Sequence, residues 1–185
     1  TPGSGFLVSG NAGGAVPTLF GFGGDLQAFS AQKLFASVDS NITDVQFFVP
    51  GTSTAATTSA FGLVFVDAET SNATQLEFFD TQGALIFSRF APAGGNQGLS
   101  FLGGVALAGE QIARVRITTP ANYLISNGVR ATEAVDFVVM DDFLYASPVA
   151  AGVAGVPVPA PLALGLLGLA GLAARSISSR RTHRS

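Results

Sequence analysis

Ile112-Ala113-Arg114-Val115-Arg116-Ile117-Thr118 is the stretch on which the fold class turns. In an extended chain Arg114 and Arg116 share one face, while Ala113, Val115 and Ile117 share the other, which is the alternation of a half-buried strand. Outward from it, stretches of similar length follow one another at 29–38, 43–49, 60–66, 75–79, 85–90, 100–107 and 135–145. Between them stand turn-forming residues: Pro50-Gly51, Asp80-Thr81-Gln82-Gly83, the segment 92–98, Gly109 and Asn127-Gly128. Phe137-Val138-Val139-Met140 is apolar on both sides, as a central strand covered on two faces requires. No helical period occurs before residue 150. The glycine-rich residues 1–25 read as loop and short edge strand. The reading is all-β: an antiparallel β-sandwich or jelly roll, its core filled by Phe47, Phe48, Phe61, Phe65, Phe78, Phe79, Phe87 and Phe101.

Composition narrows the chemistry. The chain has 185 residues, 48% hydrophobic and 11% charged, with no Cys or Trp, so it can bury a core and carries neither disulfides nor Cys-ligated zinc. Its one histidine, His183, stands outside the strand-forming region, which removes a Ser-His-Asp triad and a two-histidine metal site from the body. Residues 1–150 hold twelve acidic and five basic groups, a balance of −7. Arg175, Arg180, Arg181 and Arg184 make the end of the chain basic. An acidic body of this kind is not a nucleic-acid binder, and body and tail are expected to face different environments. The start Thr1-Pro2-Gly3, without Met, is read as the product of signal-peptide removal and export.

Beyond the last strand the sequence changes character. Residues 1–147 form the body and 148–158 a linker of Pro, Gly, Ala and Val. Residues 159–178 are predicted as one transmembrane helix and 179–185 as a basic cytoplasmic tail. Val156-Pro157-Val158-Pro159-Ala160-Pro161 imposes an extended run, after which a helix can start. The wholly apolar block 162–174 measures 13 residues, and extension to 159–177 with Arg175 snorkelling gives 19. The arginines place the C-terminus in the cytoplasm and the body outside it. Gly165, Gly168 and Gly171 recur every third residue and leave a shallow helix face against which an integral-membrane partner or a lipid chain can pack. The plain alternative is a Gly- and Leu-rich anchor with no partner.

The Pro-rich triplet, the Leu/Gly/Ala segment and the arginine cluster together resemble the PEP-CTERM sorting tail of Gram-negative bacteria. That resemblance implies recognition by an exosortase and cleavage near Val156, Pro157, Pro159 and Pro161. Here the element lacks the usual acidic residue and has Ala160 before its last proline. The body is also similar to ectodomains found with such tails, through Phe47-Phe48-Val49-Pro50-Gly51-Thr52, Ser59 to Asp67, Leu76-Glu77-Phe78-Phe79-Asp80, Ser100-Phe101-Leu102-Gly103 and Val138 to Tyr145. The resemblance implies an envelope β-sandwich and carries over no enzymatic activity.

Candidate sites in the body rest on carboxylates. Asp141 and Asp142 end one predicted strand, Asp67 and Glu69 follow another, and with Asp80 they are the candidate ligands of a structural Ca²⁺, an ion that takes six to eight oxygens. The competing reading gives Asp141 and Asp142 to turn caps or to pairing with Arg114 and Arg116. Glycoside hydrolysis by two carboxylates is the weakest option, since Tyr123 and Tyr145 are the only aromatics besides Phe. Asn41-Ile42-Thr43 and Asn72-Ala73-Thr74 read as turns rather than glycan acceptors.

The expected protein is therefore non-catalytic and bound to the bacterial inner membrane by a single pass, its body periplasmic. Its expected role is structural, as an accessory subunit of a larger complex such as a photosynthetic or respiratory one. The alternatives are an exosortase-processed protein of the surface or exopolysaccharide matrix, and a glycan-binding module.

Overall fold

The structure, a computed structural model, describes residues 5–10, 14, 16–30, 33–125, 130–132 and 135–152. The sorting-motif prolines, the predicted helix with Gly165, Gly168 and Gly171, and the arginines 175, 180, 181 and 184 lie outside the described residues. Among the described residues no helix is long and apolar enough to cross a membrane.

The described chain is all-β and antiparallel. Its strands are β1 (Gly5–Val8), β2 (Phe35–Val38), β3 (Ile42–Phe48), β4 (Ala55–Thr57), β5 (Ala60–Val66), β6 (Gln75–Phe79), β7 (Leu85–Phe90), β8 (Leu99–Val105), β9 (Arg114–Thr118), β10 (Val139–Tyr145) and β11 (Val149–Ala150). One sheet runs β1-β2-β10-β5-β8 and the other β11-β4-β3-β9-β6-β7. They pack as a sandwich. Phe61, Leu63 and Phe65 of β5, Leu102 of β8 and Met140 of β10 meet Phe47, Leu76, Phe78, Val115 and Ile117 of the facing sheet.

The alternation in β9 holds as written. Val115 and Ile117 are fully buried, and Arg114 and Arg116 lie on the opposite face. β10 is central, between β2 and β5, with Met140 facing the inter-sheet core and Val139 a second apolar cluster. That second cluster is Phe20, Leu26, Leu34, Leu124 and Phe137 laid over Ala36, Val38, Val66 and Val139 on the outer face of the five-stranded sheet. The glycine-rich leader thus supplies core residues: Phe20 and Leu26 are buried, with Leu19 and Phe20 both at positive φ in the turn that delivers them.

Several expectations change. The strand expected over 29–38 shortens to β2, because the backbone of Phe29 and Ser30 is drawn aside to the Asp141 carboxylate. Phe48 and Phe101 are exposed rather than core, since Phe47 and Leu102 beside them take the inward face and a strand points its neighbours to opposite sides. Phe79 likewise faces outward from buried Phe78, beneath the Arg114 guanidinium at 3.9 Å from its ring centre. β4 and β11 occupy stretches read as loop and linker, where β11 pairs with β4 through Val149↔Thr57 and Ala150↔Ala56.

Leu63 sits at the centre of the inter-sheet core with no exposed surface. Leu63→Ala is expected to lower unfolding free energy by ~2–5 kcal/mol. Leu107→Ala, at a side chain 91% exposed, is expected to stay within ~0.5 kcal/mol of the parent. Chemical denaturation of both variants checks this.

Candidate functional site

The carboxylates are placed by strand ends. Asp141 continues β10 after Met140, and its backbone still pairs with Val64; Asp142 is then pushed out of the ladder, so that Phe143 pairs with Leu63. This bulge sets Asp142 at positive φ and leaves Phe143 packed against the inter-sheet core, while Asp141, on the same face as Val139, is buried. The Asp141 carboxylate accepts from the backbone N–H of Phe29 at 2.6 Å, of Ser30 at 3.1 Å and of Asp142 at 2.8 Å. The Ser30 hydroxyl bridges Asp141 and Asp142. Two adjacent acids therefore clamp a loop 111 residues away in sequence, using charge-assisted hydrogen bonds.

Asp67 follows β5 at positive φ, nearly buried, and one carboxylate oxygen accepts from the Gln97 N–H at 2.8 Å. Burial pushes its carboxyl up to about 6; the Gln97 hydrogen bond opposes the rise, and repulsion from Glu69, Asp136 and Asp25 adds to it. Asp67, Glu69, Asp136 and Asp25 line one concavity of about 540 Å³ together with Arg130. Arg130 pairs with Asp25 at 3.0 Å and lies over the Phe22 ring. Asp136 accepts from the N–H groups of Glu69 and Thr70.

The five residues singled out as calcium ligands are thus divided. Asp67 and Glu69 line the concavity, Asp141 and Asp142 clamp Ser30, and Asp80 accepts from Gln82 and Ala84 in the turn between β6 and β7. Among the described residues no three His, Cys, Asp or Glu side chains group to hold a metal ion. Arg114 and Arg116 pair with neither Asp141 nor Asp142 but with Asp44 of the adjacent β3, at 3.0 and 2.8 Å. The hydrogen bond from Arg116 is the main cause that holds the Asp44 carboxyl below its ordinary range.

Another concavity, of about 890 Å³, is of a different kind. Phe6, Phe35, Phe47, Phe48, Phe143 and Tyr145 line it, on strands of both sheets. Phe6 and Phe35 stack at 5.6 Å, and Phe143 meets both edge-on. Its aromatic side offers apolar contact, and Asp44 and Gln46 add polar groups at its wall. Asp25, Asp44 and Asp136 escaped the sequence reading. Asp44 had a legible signal, an acid on a strand that alternates like its basic neighbour; Asp25 and Asp136 had none.

Comparisons with protein-family models, curated proteins and solved structures return no match.

Two outcomes test the carboxylates. The raised Asp67 carboxyl means that the folded state holds this proton more tightly than the unfolded chain, whose value is ~3.9. The group's stabilisation is therefore complete below about 4 and lost as pH rises through about 6. Asp67→Asn keeps an acceptor for Gln97, and thermal melts are expected to show a flatter profile between those values and a higher midpoint at neutral pH. Asp141→Ala removes the clamp and is expected to cost ~2–3 kcal/mol, with faster amide exchange at Phe29 and Ser30.

Proposed function

We propose that the chain is a non-catalytic, membrane-anchored envelope protein with a structural role, an accessory subunit that stabilises a larger inner-membrane complex. One observation carries this reading. The carboxylates of Asp44, Asp80, Asp136 and Asp141 serve the fold, by binding arginines or backbone N–H groups. These four acids are engaged with the fold rather than with a substrate, which is the use that a structural role requires of them. The anchor is supported by the sequence: the apolar block 162–174 followed by Arg175, Arg180, Arg181 and Arg184. In this reading the β-sandwich stands on the periplasmic side and the helix, with its Gly165, Gly168 and Gly171 face, packs against integral-membrane subunits.

A second reading is favoured by Pro157, Pro159 and Pro161. An exosortase that cuts there releases the body to the cell surface or an exopolysaccharide matrix.

Intact mass and native electrophoresis of protein extracted gently from its own membrane separate the two. The accessory-subunit reading expects a mass that retains the 162–185 segment and co-migration with a larger assembly. A mass ending near Pro159 to Pro161 supports the processed form, and an uncut chain migrating alone overturns the accessory-subunit reading.

A further inference from the structure

The outer face of the five-stranded sheet is covered unevenly. At one end Phe20, Leu26 and Phe137 lie over Val66 and Val139. At the other, Phe101 is 57% and Val105 64% exposed, beside a shallow hollow lined by Gly62, Gly103 and Leu144. β8 ends this sheet, with β5 its one strand neighbour among the described residues.

The hydrogen-bond phase of that edge is readable. The Gly98 carbonyl accepts from the Asp67 N–H at 2.9 Å, and the Ala106 N–H donates to the Ser59 carbonyl at 2.7 Å. Antiparallel pairing alternates, so Ser100, Leu102 and Gly104 direct their backbone groups at β5. Leu99, Phe101, Gly103 and Val105 direct theirs out of the sheet. Those same four residues stand on the outer face, where among the described residues the Phe20, Leu26 and Phe137 cluster does not reach.

Edge strands are normally blunted by charge, proline or a bulge. β8 has none of these: residues 90–109 contain no charged side chain, the strand contains no proline, and its register with β5 is unbroken from Leu99 to Val105. β7, the edge of the facing sheet, does carry a charge, Arg89, and its pairing with β6 is bulged.

We propose that β8 pairs antiparallel with β8 of a second copy of this chain, about a twofold axis through Leu102, so that two five-stranded sheets become one. In this register Leu99 faces Val105 of the second copy and Phe101 faces its Gly103. All four outward residues on each strand find partners at once. A twofold interface requires a patch complementary to itself, and β8 reversed on itself places each Phe101, whose ring lies over Gly62 and Gly103 of its own sheet, opposite a residue without a side chain, so two rings do not collide at the seam. A register shifted by two residues sets Phe101 against Phe101 and leaves Val105 opposite residue 97, outside the strand. The strand is neutral while the body around it carries a balance of −7, so pairing strengthens as salt screens the repulsion between bodies. The proposal concerns the body alone and stands or falls separately from the anchor.

The test uses the full chain in mild detergent. Because the sequence has no cysteine, a double variant L99C/V105C reports the register. Paired Cα atoms of the two copies lie ~5.5 Å apart in a hydrogen-bonded pair, within disulfide reach, whereas the same two positions within one strand are about 20 Å apart. Oxidation is expected to yield a covalent dimer from L99C/V105C and none from F101C. Sedimentation is expected to show a dimer that V105K weakens at least ~10-fold and that added salt tightens, with the melting temperature unchanged at dilutions where both chains are monomeric. A chain that stays monomeric at its highest soluble concentration overturns the proposal. So does a dimer indifferent to V105K, or cross-linking through F101C instead of the double variant.

Discussion

The pairing of β10 with β5 is the constraint on which the rest of the molecule depends. Its inward residues Phe61, Leu63, Phe65 and Met140 form the floor on which the second sheet packs. Its outward residues Val66 and Val139 anchor the cluster that brings Phe20, Leu26 and Phe137 over the sheet. A strand pair buried on both faces cannot slip by one residue without exchanging these two sets, which fixes its register. Burial of this kind is the dominant favourable term in folding, and here one strand pair supplies it to two layers.

Charge is used sparingly and locally. With 11% charged residues, the body places most described carboxylates where a backbone N–H or a guanidinium answers them. Asp141 ties the loop at Phe29 and Ser30 to β10, and Asp44 ties β3 to β9 through Arg114 and Arg116. Asp67 is the exception: nearly buried, close to three other acids, and held by a single backbone hydrogen bond from Gln97. The stabilisation from Asp44, whose carboxyl is held low, is lost as pH falls, whereas that from Asp67, whose carboxyl is raised, is lost as pH rises, so the pH dependence of stability reports their balance.

The two apolar surfaces differ in kind. The cleft lined by Phe6, Phe35 and Phe143 is made of rings that already satisfy one another through stacked and edge-on contacts. On the β8 edge the Phe101 ring rests on Gly62 and Gly103 rather than on another ring among the described residues. The apolar row of this edge coincides with a row of outward backbone donors and acceptors, and the two together define both a direction and a register for association.

Sequence alone determined the local rules of this chain. Alternation in 112–118 put Val115 and Ile117 inward, the apolar run at 137–140 marked a central strand, and strands 60–66, 75–79 and 85–90 were legible at their observed limits. These are readable because a strand's period of two is a property of the backbone itself. Only the tertiary structure decided that Phe47 is core and Phe48 exposed, that Phe20 and Leu26 in a glycine-rich leader are buried, and that Asp141 answers Ser30 while Asp44 answers both arginines. Periodicity says which residues share a face, but which face is covered and which strand lies at an edge depend on partners 70 or 111 residues away, and no local pattern encodes those.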